Sequence, residues 1–169
     1  MKPKVCLIGV GMGNPATLTA EAERAIEACP VLVGAPRLLE PYQKGKNCVP
    51  LIAAADILAY IETCGESPVG VLLSGDVGFY SGAKNLWPLL EGYEVESLPG
   101  ISSLAYLCTK LKTSWQDAHV ASAHGRILNA AGEVQSHAKT FLLTGGKTKA
   151  QDVCRAIAEW GMDWVEISV

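Results

Sequence analysis

The sequence contains no CxxC pair and no cluster of cysteine and histidine at zinc-ligand spacing, so no metal-binding motif is written in it. Its six cysteines, Cys6, Cys29, Cys48, Cys64, Cys108 and Cys154, are spread evenly and sit mostly in apolar runs. A free thiol in such a run behaves as a small core residue. They read as reduced and structural, which points to the cytoplasm. A basic excess is also lacking: the net charge is −3 and the pI about 5.6, which argues against a nucleic-acid partner. No apolar run approaches the roughly 18 residues that span a bilayer. The opening MKPKVCLIGVGMG runs into a glycine-rich turn with no cleavage-site pattern, so it does not read as a signal peptide. Charged residues make up only 18% and apolar residues 49%, so a core can form and no stretch reads as disordered. A length of 169 residues fits one large domain or two small lobes.

The pattern along the chain alternates short apolar runs with segments of helical period. Lys4–Val10 reads as a buried strand. A helix follows, with Thr17 or Thr19 as its cap and Leu18, Ala22, Ala25, Ile26 and Cys29 on one face. Val31–Gly34 and Val69–Leu73 read as further strands. Between them a helix capped by Asp56 runs through Thr63 and stops at Gly65. A helix after residue 82 runs toward Gly92, Tyr93–Leu98 is a strand, and a helix follows from Ser102 to Leu111. Lys110–Asp117 is polar and marks a lobe boundary, giving lobes 1–112 and 113–169. The second lobe repeats the alternation: a strand at His119–Ala123, a helix at Ile127–His137, a strand at Thr140–Thr144, a helix at Ala150–Trp160 and a strand at Trp164–Val169. The spacing predicts an α/β protein with a largely parallel sheet in the first lobe and a mixed sheet in the second. Because the chain ends inside an apolar run with nothing to cover it, the C-terminal end of the second lobe is expected to lie beyond Val169.

Three glycine-rich loops, 9–15, 74–82 and 99–103, each follow the C-terminal end of a predicted strand. In an open α/β sheet, ligands collect beyond those ends, and glycine there lets the backbone approach a ligand and present N–H groups. Together the loops predict a small-molecule site. It is not a dinucleotide fingerprint: GxGxxG from Gly9 needs glycine where Asn14 stands, and no acidic residue occurs across Cys29–Gly34. Gly145-Gly146-Lys147-Thr148 ends like a P-loop, but the first glycine of that motif would fall on Phe141.

Gly9-Val10-Gly11-Met12-Gly13-Asn14-Pro15, Ser74-Gly75-Asp76-Val77-Gly78-Phe79-Tyr80 and Pro99-Gly100-Ile101-Ser102-Ser103 resemble the three ordered motifs of the tetrapyrrole methylase superfamily. Val33-Gly34-Ala35-Pro36-Arg37-Leu38-Leu39 and Ser122-Ala123-His124-Gly125-Arg126 resemble its precorrin C5-methyltransferase branch, which includes the N-terminal half of the C5,15 enzymes. Met12, Asn14 and Val77 depart from the usual proline, aspartate and proline. The resemblance implies a two-lobe fold and an S-adenosylmethionine-dependent C-methyltransferase of cobalamin biosynthesis, releasing S-adenosylhomocysteine. It implies a cytoplasmic homodimer acting on a corrin precursor, with a separate C15-methyltransferase/decarboxylase as a possible partner, and no nucleic acid or membrane.

The resemblance also implies that Gly11, Met12, Ser74, Gly75, Asp76, Phe79, Ser102 and Ser103 line the donor site, with Leu143, Thr144 and Gly145 as a wall from the second lobe. Asp76 is the foremost catalytic candidate: its carboxylate can accept hydrogen bonds from the donor or oppose its charge, or else serve as a turn residue. His124 is a candidate to take the proton lost after methyl transfer or to hydrogen-bond the substrate, or else a structural loop residue. Arg37, Lys84 and Arg126, with Lys147, are candidate partners for substrate carboxylates. No metal is expected, and His119 and His137 receive no role. The four tryptophans read as core or dimer-interface residues, and Leu104–Leu111 as a contributor to the dimer. Two alternatives stay open: a methylase of the same superfamily acting on another corrin position, a uroporphyrinogen or a non-tetrapyrrole, and a donor-binding module without turnover.

Overall fold

The structure is a computed structural model and describes residues 2–123, 128–146 and 148–169. Strand β1 (Val5–Gly9) is buried at every position, as befits a strand with neighbours on both edges and helices over both faces. It pairs with β4 (Val69–Leu73) on one side and β5 (Val95–Leu98) on the other. With β2 (Val31–Gly34) and β3 (Asn47–Val49) the order is β3-β2-β4-β1-β5, every pairing parallel. The chain thus builds outward from β1 in one direction, returns through β4, and crosses to the far side of β1 for β5.

Side chains alternate across the sheet and define two core layers. Val5, Leu7, Val33 and Val71 point to the layer closed by Ile57 and Ile61 of α3 (Ala54–Thr63). Cys6, Ile8, Leu32 and Leu72 point to the layer closed by Ala22 and Ile26 of α1 (Ala20–Ala28) and by Leu38 and Leu39 of α2 (Pro36–Leu39). All six cysteines are free thiols. Cys6 and Cys29 meet in the α1 layer, and the hydrogen bond to Cys6, with burial second, pushes the Cys29 thiol up, so it stays protonated.

Several expected boundaries move for local reasons. Thr19, not Thr17, caps α1, accepting the Ala22 N–H at 3.1 Å. Helix α3 begins before Asp56: Ala53 holds the cap position, and Asp56 sits in the first turn, where its negative charge interacts favourably with the positive end of the helix dipole. The run Ala53-Ala54-Ala55 favours helix and extends the start. Helix α2, opened by proline at its first turn, and the three-residue edge strand β3 are too short to leave a period in the sequence.

The chain divides into two compact units, Met1–Tyr106 and Leu107–Val169, with helix α5 (Ser103–Lys110) running through the division. In the second unit β6 (His119–Ser122), α6 (Ala130–Ser136) and β7 (Thr140–Leu143) form a strand–helix–strand turn with the strands parallel. Where a mixed sheet is expected, the described residues hold only this parallel pair. Helix α7 (Ala150–Glu159) closes a small core of Ala130, Ala131, Val153, Ile157 and Met162. The strand expected at Trp164–Val169 is not formed: no ladder joins these residues to β6 or β7. Lys139 gathers the loop before β6, donating to Thr113 Oγ1 at 3.0 Å and Asp117 Oδ1 at 2.8 Å, which holds the Asp117 carboxyl below its usual value. The tryptophans are not core residues: Trp87, Trp115, Trp160 and Trp164 are all exposed.

Leu7 is fully buried between its layers while Leu89 is exposed. In urea unfolding, Leu7→Ala is expected to lose about 2–5 kcal/mol and Leu89→Ala to change stability by less than about 0.5 kcal/mol. Equal losses would contradict the assignment of the core.

Candidate active site

Strands β4, β1 and β5 are adjacent and parallel, so the loops that follow them leave from one edge of the sheet, side by side. The first two are tied directly. Gly11 and Gly75 form an antiparallel bridge, with Gly75 N–H donating to Gly11 O at 2.7 Å and Gly11 N–H to Gly75 O at 3.1 Å. Both glycines have positive φ, +62° and +71°, a conformation that side-chain-bearing residues rarely take. The third loop closes against them. A Cβ on Gly9 would lie 2.7 Å from Gly100 N and 2.9 Å from Gly75 O, and one on Gly100 would collide with the Gly75 carbonyl oxygen. Glycine at positions 9 and 100 is therefore what permits three backbones to touch.

Asp76 fastens this junction. Its Oδ1 accepts the Gly78 N–H at 2.8 Å, folding its own loop, and its Oδ2 accepts the Gly100 N–H at 3.0 Å, holding the neighbouring loop. Of the roles open to Asp76, the structure displays the turn residue extended to a clamp between loops. Each oxygen retains a further lone pair for a ligand. Thr17, buried and read from sequence only as a possible cap, shapes the first loop: its Oγ1 accepts the Met12 N–H at 3.0 Å and donates to Asn14 O at 3.0 Å. Ser102 opens α5, its hydroxyl accepting the Ala105 N–H at 3.2 Å.

What remains open at this edge is backbone, a serine hydroxyl and the side chains of Met12, Phe79 and Tyr80. Ser74 and Met12 are exposed and Phe79 is half-buried, its ring edge-on to Tyr80 with centroids 5.2 Å apart. Tyr80 holds φ at +48°, a conformation unfavourable for a bulky residue and frequent near functional loops. A Cβ on Gly13 would meet nothing, and on Gly75 nothing closer than Ser102 Cα at 3.9 Å. Two cavities of the first unit, about 400 Å³ beside Leu39 and Cys48 and about 290 Å³ beside Cys6 and Arg24, are not lined by these loops. With Met12, Ser74, Gly78 and Tyr80 exposed, the junction presents an open shelf within the first unit.

The predicted residues divide accordingly. Gly11, Met12, Ser74, Gly75, Asp76, Phe79, Ser102 and Ser103 all lie on the three converging loops. Arg37 is exposed on α2, just past the end of β2 on the same sheet edge, and Lys84 is exposed on α4 (Ala83–Leu86), which follows the second loop. Leu143, Thr144 and Gly145 stand at the end of β7 in the second unit, where Gly145 N–H donates to Thr148 O at 2.8 Å and closes a turn. His124, Arg126 and Lys147 lie outside the described residues. No helix among the described residues is long and apolar enough to cross a membrane.

The family model for Tetrapyrrole (Corrin/Porphyrin) Methylases matches residues 4–166. A probable cobalt-precorrin-7 C(5)-methyltransferase of Methanocaldococcus jannaschii is 26% identical over 148 residues, 82% of this chain and 70% of that one. A decarboxylating precorrin-6Y C(5,15)-methyltransferase of Sinorhizobium is 28% identical and matches the whole of this chain, which spans only 42% of its length. Among solved structures, a precorrin-6Y methylase of cobalamin biosynthesis from Archaeoglobus fulgidus superposes with a TM-score of 0.70 at 21% identity, covering 88% of this chain and 77% of that one.

Replacing Asp76 by asparagine keeps the shape and turns one acceptor into an NH2 group facing an N–H. Asp76→Asn is expected to lower the urea-unfolding free energy by about 1–3 kcal/mol. An unchanged midpoint would mean that the clamp carries no load.

Proposed function

The chain belongs to the tetrapyrrole (corrin/porphyrin) methylase family, and from that premise we propose that it is an S-adenosylmethionine-dependent C-methyltransferase acting at C5 of a precorrin. The observation that carries the reading is the convergence of the loops after β1, β4 and β5 on one shelf, held by Asp76 between Gly78 and Gly100. The relatives named for C5 methylation supply the position on the ring.

The shelf suits the donor chemically. Glycines at 13 and 75 leave open space beside the backbone, exposed Ser74 offers a hydroxyl, and Met12 and Phe79 offer apolar surface for a purine. When bound, the donor supplies an already activated sulfonium methyl, so the protein's contribution is geometry. The rigid junction fixes the loops, and loops so fixed orient the two reactants; holding reacting atoms about 3–3.5 Å apart and aligned supplies a large share of the acceleration in such transfers. Asp76 acts here as a positioning residue, with lone pairs that also oppose positive charge at the shelf. Arg37 and Lys84, exposed near the same edge, suit substrate carboxylates. Free thiols throughout suit a reducing compartment such as the cytoplasm, and an activity that methylates C15 and decarboxylates is the partner reaction of the C5 step. A homodimer using the α5 region is the assembly we assign.

The test pairs binding with turnover. Calorimetry with S-adenosylhomocysteine is expected to give a micromolar affinity, weakened at least tenfold by Gly9→Ala, which forces the loops apart. Labelled donor incubated with precorrin intermediates is expected to mark the C5 acceptor. Binding without transfer to any intermediate would favour a non-catalytic module, and transfer to a different ring carbon would move the chain to another branch of the family.

A further inference from the structure

In a strand–helix–strand unit with parallel strands, the helix runs back against the strands, so its C-terminal end returns to the edge where the first strand begins. Here that return brings together residues that are distant in sequence. His119 is the first residue of β6, Glu133 lies on α6, and His137 follows its last residue. Glu133 and His137, four apart, share a helix face. One potential ligand atom from each of the three lies within 4.8 Å of the others.

The contacts prepare these groups as ligands. His119 Nε2 lies 2.7 Å from Glu133 Oε2. His137 Nδ1 lies 2.9 Å from the Glu133 carbonyl oxygen. A carbonyl can only accept, so Nδ1 carries the proton and Nε2 keeps its lone pair, the tautomer a metal-bound histidine uses. The imidazole rings stack with centroids 3.7 Å apart and planes 4° from parallel. His119 and Glu133 are half-buried while His137 is exposed, so the outer side of the trio is open to water and to an incoming ion.

We propose that His119, Glu133 and His137 form a three-ligand site for a divalent transition-metal ion of the zinc class. Two imidazole nitrogens, one carboxylate oxygen and an open fourth position match tetrahedral zinc. Magnesium and calcium call for all-oxygen shells, and the absence of a thiolate from the trio disfavours the softest ions. A bound ion would join the start of β6 to the end of α6 and stabilise the second unit by mass action. The site stands on residues of that unit alone, whatever the shelf binds.

The test uses the full chain stripped of metal. Calorimetric titration with zinc chloride is expected to show one equivalent bound in the micromolar range or tighter, with a rise in the thermal midpoint. His137→Gln and Glu133→Gln should each weaken binding at least tenfold. Cobalt(II) should give weak visible bands without thiolate-to-metal charge transfer, separating this trio from the cysteines. His119→Gln should weaken binding likewise, and should that variant fail to fold, His137→Gln, at an exposed position, carries the test. Zinc binding unaltered in His137→Gln, a thiolate band with cobalt, or no saturable zinc binding would each overturn the proposal.

Discussion

A single carboxylate bridging two loops is the contact on which the proposed active shelf depends. Asp76 accepts one backbone N–H from its own loop and one from the loop after β5. Those loops can meet only because Gly9 and Gly100 have no side chains, and the loop after β1 is joined by the Gly11–Gly75 bridge. None of these contacts is strong alone, since a net hydrogen bond contributes about 1 kcal/mol. Their weight comes from sharing a junction: loosening one leaves the others without a fixed partner. The sheet contributes the rest by setting β4, β1 and β5 side by side and pointing the same way.

That arrangement explains what the sequence made readable. Uninterrupted apolar runs such as Val69–Leu73 are what strands covered on both faces require, so the first-unit strands stand out. Glycine directly after such runs marks the loops, and parallel pairing places them on one edge. The motif order across Gly9–Pro15, Ser74–Tyr80 and Pro99–Ser103 carried the family, which matches over residues 4–166. The short elements were illegible. Helix α2 and strand β3 contain too few residues to establish a period, and the start of α3 was set by helix-forming alanines before Asp56 rather than by a capping side chain.

Other features were hidden because they depend on contacts between distant residues. Asp76 announces itself by position, but its grip on Gly100 crosses from one loop to the next and has no signature in spacing. Thr17 looked like a cap and instead folds the first loop from inside. The apolar run Trp164–Val169 has the composition of a strand but joins no ladder, and composition alone does not show whether a run pairs. His119 and His137, at a spacing that suggests nothing, meet because α6 returns its end to the start of β6.

The most direct test of the account is a crystal structure of the chain with S-adenosylhomocysteine. The nucleoside is expected to lie on the shelf, in van der Waals contact with residues of 11–13, 74–79 and 101–103, with the Asp76–Gly100 contact intact. Density for the ligand in the cavity beside Leu39 and Cys48, or elsewhere away from the three loops, would contradict it.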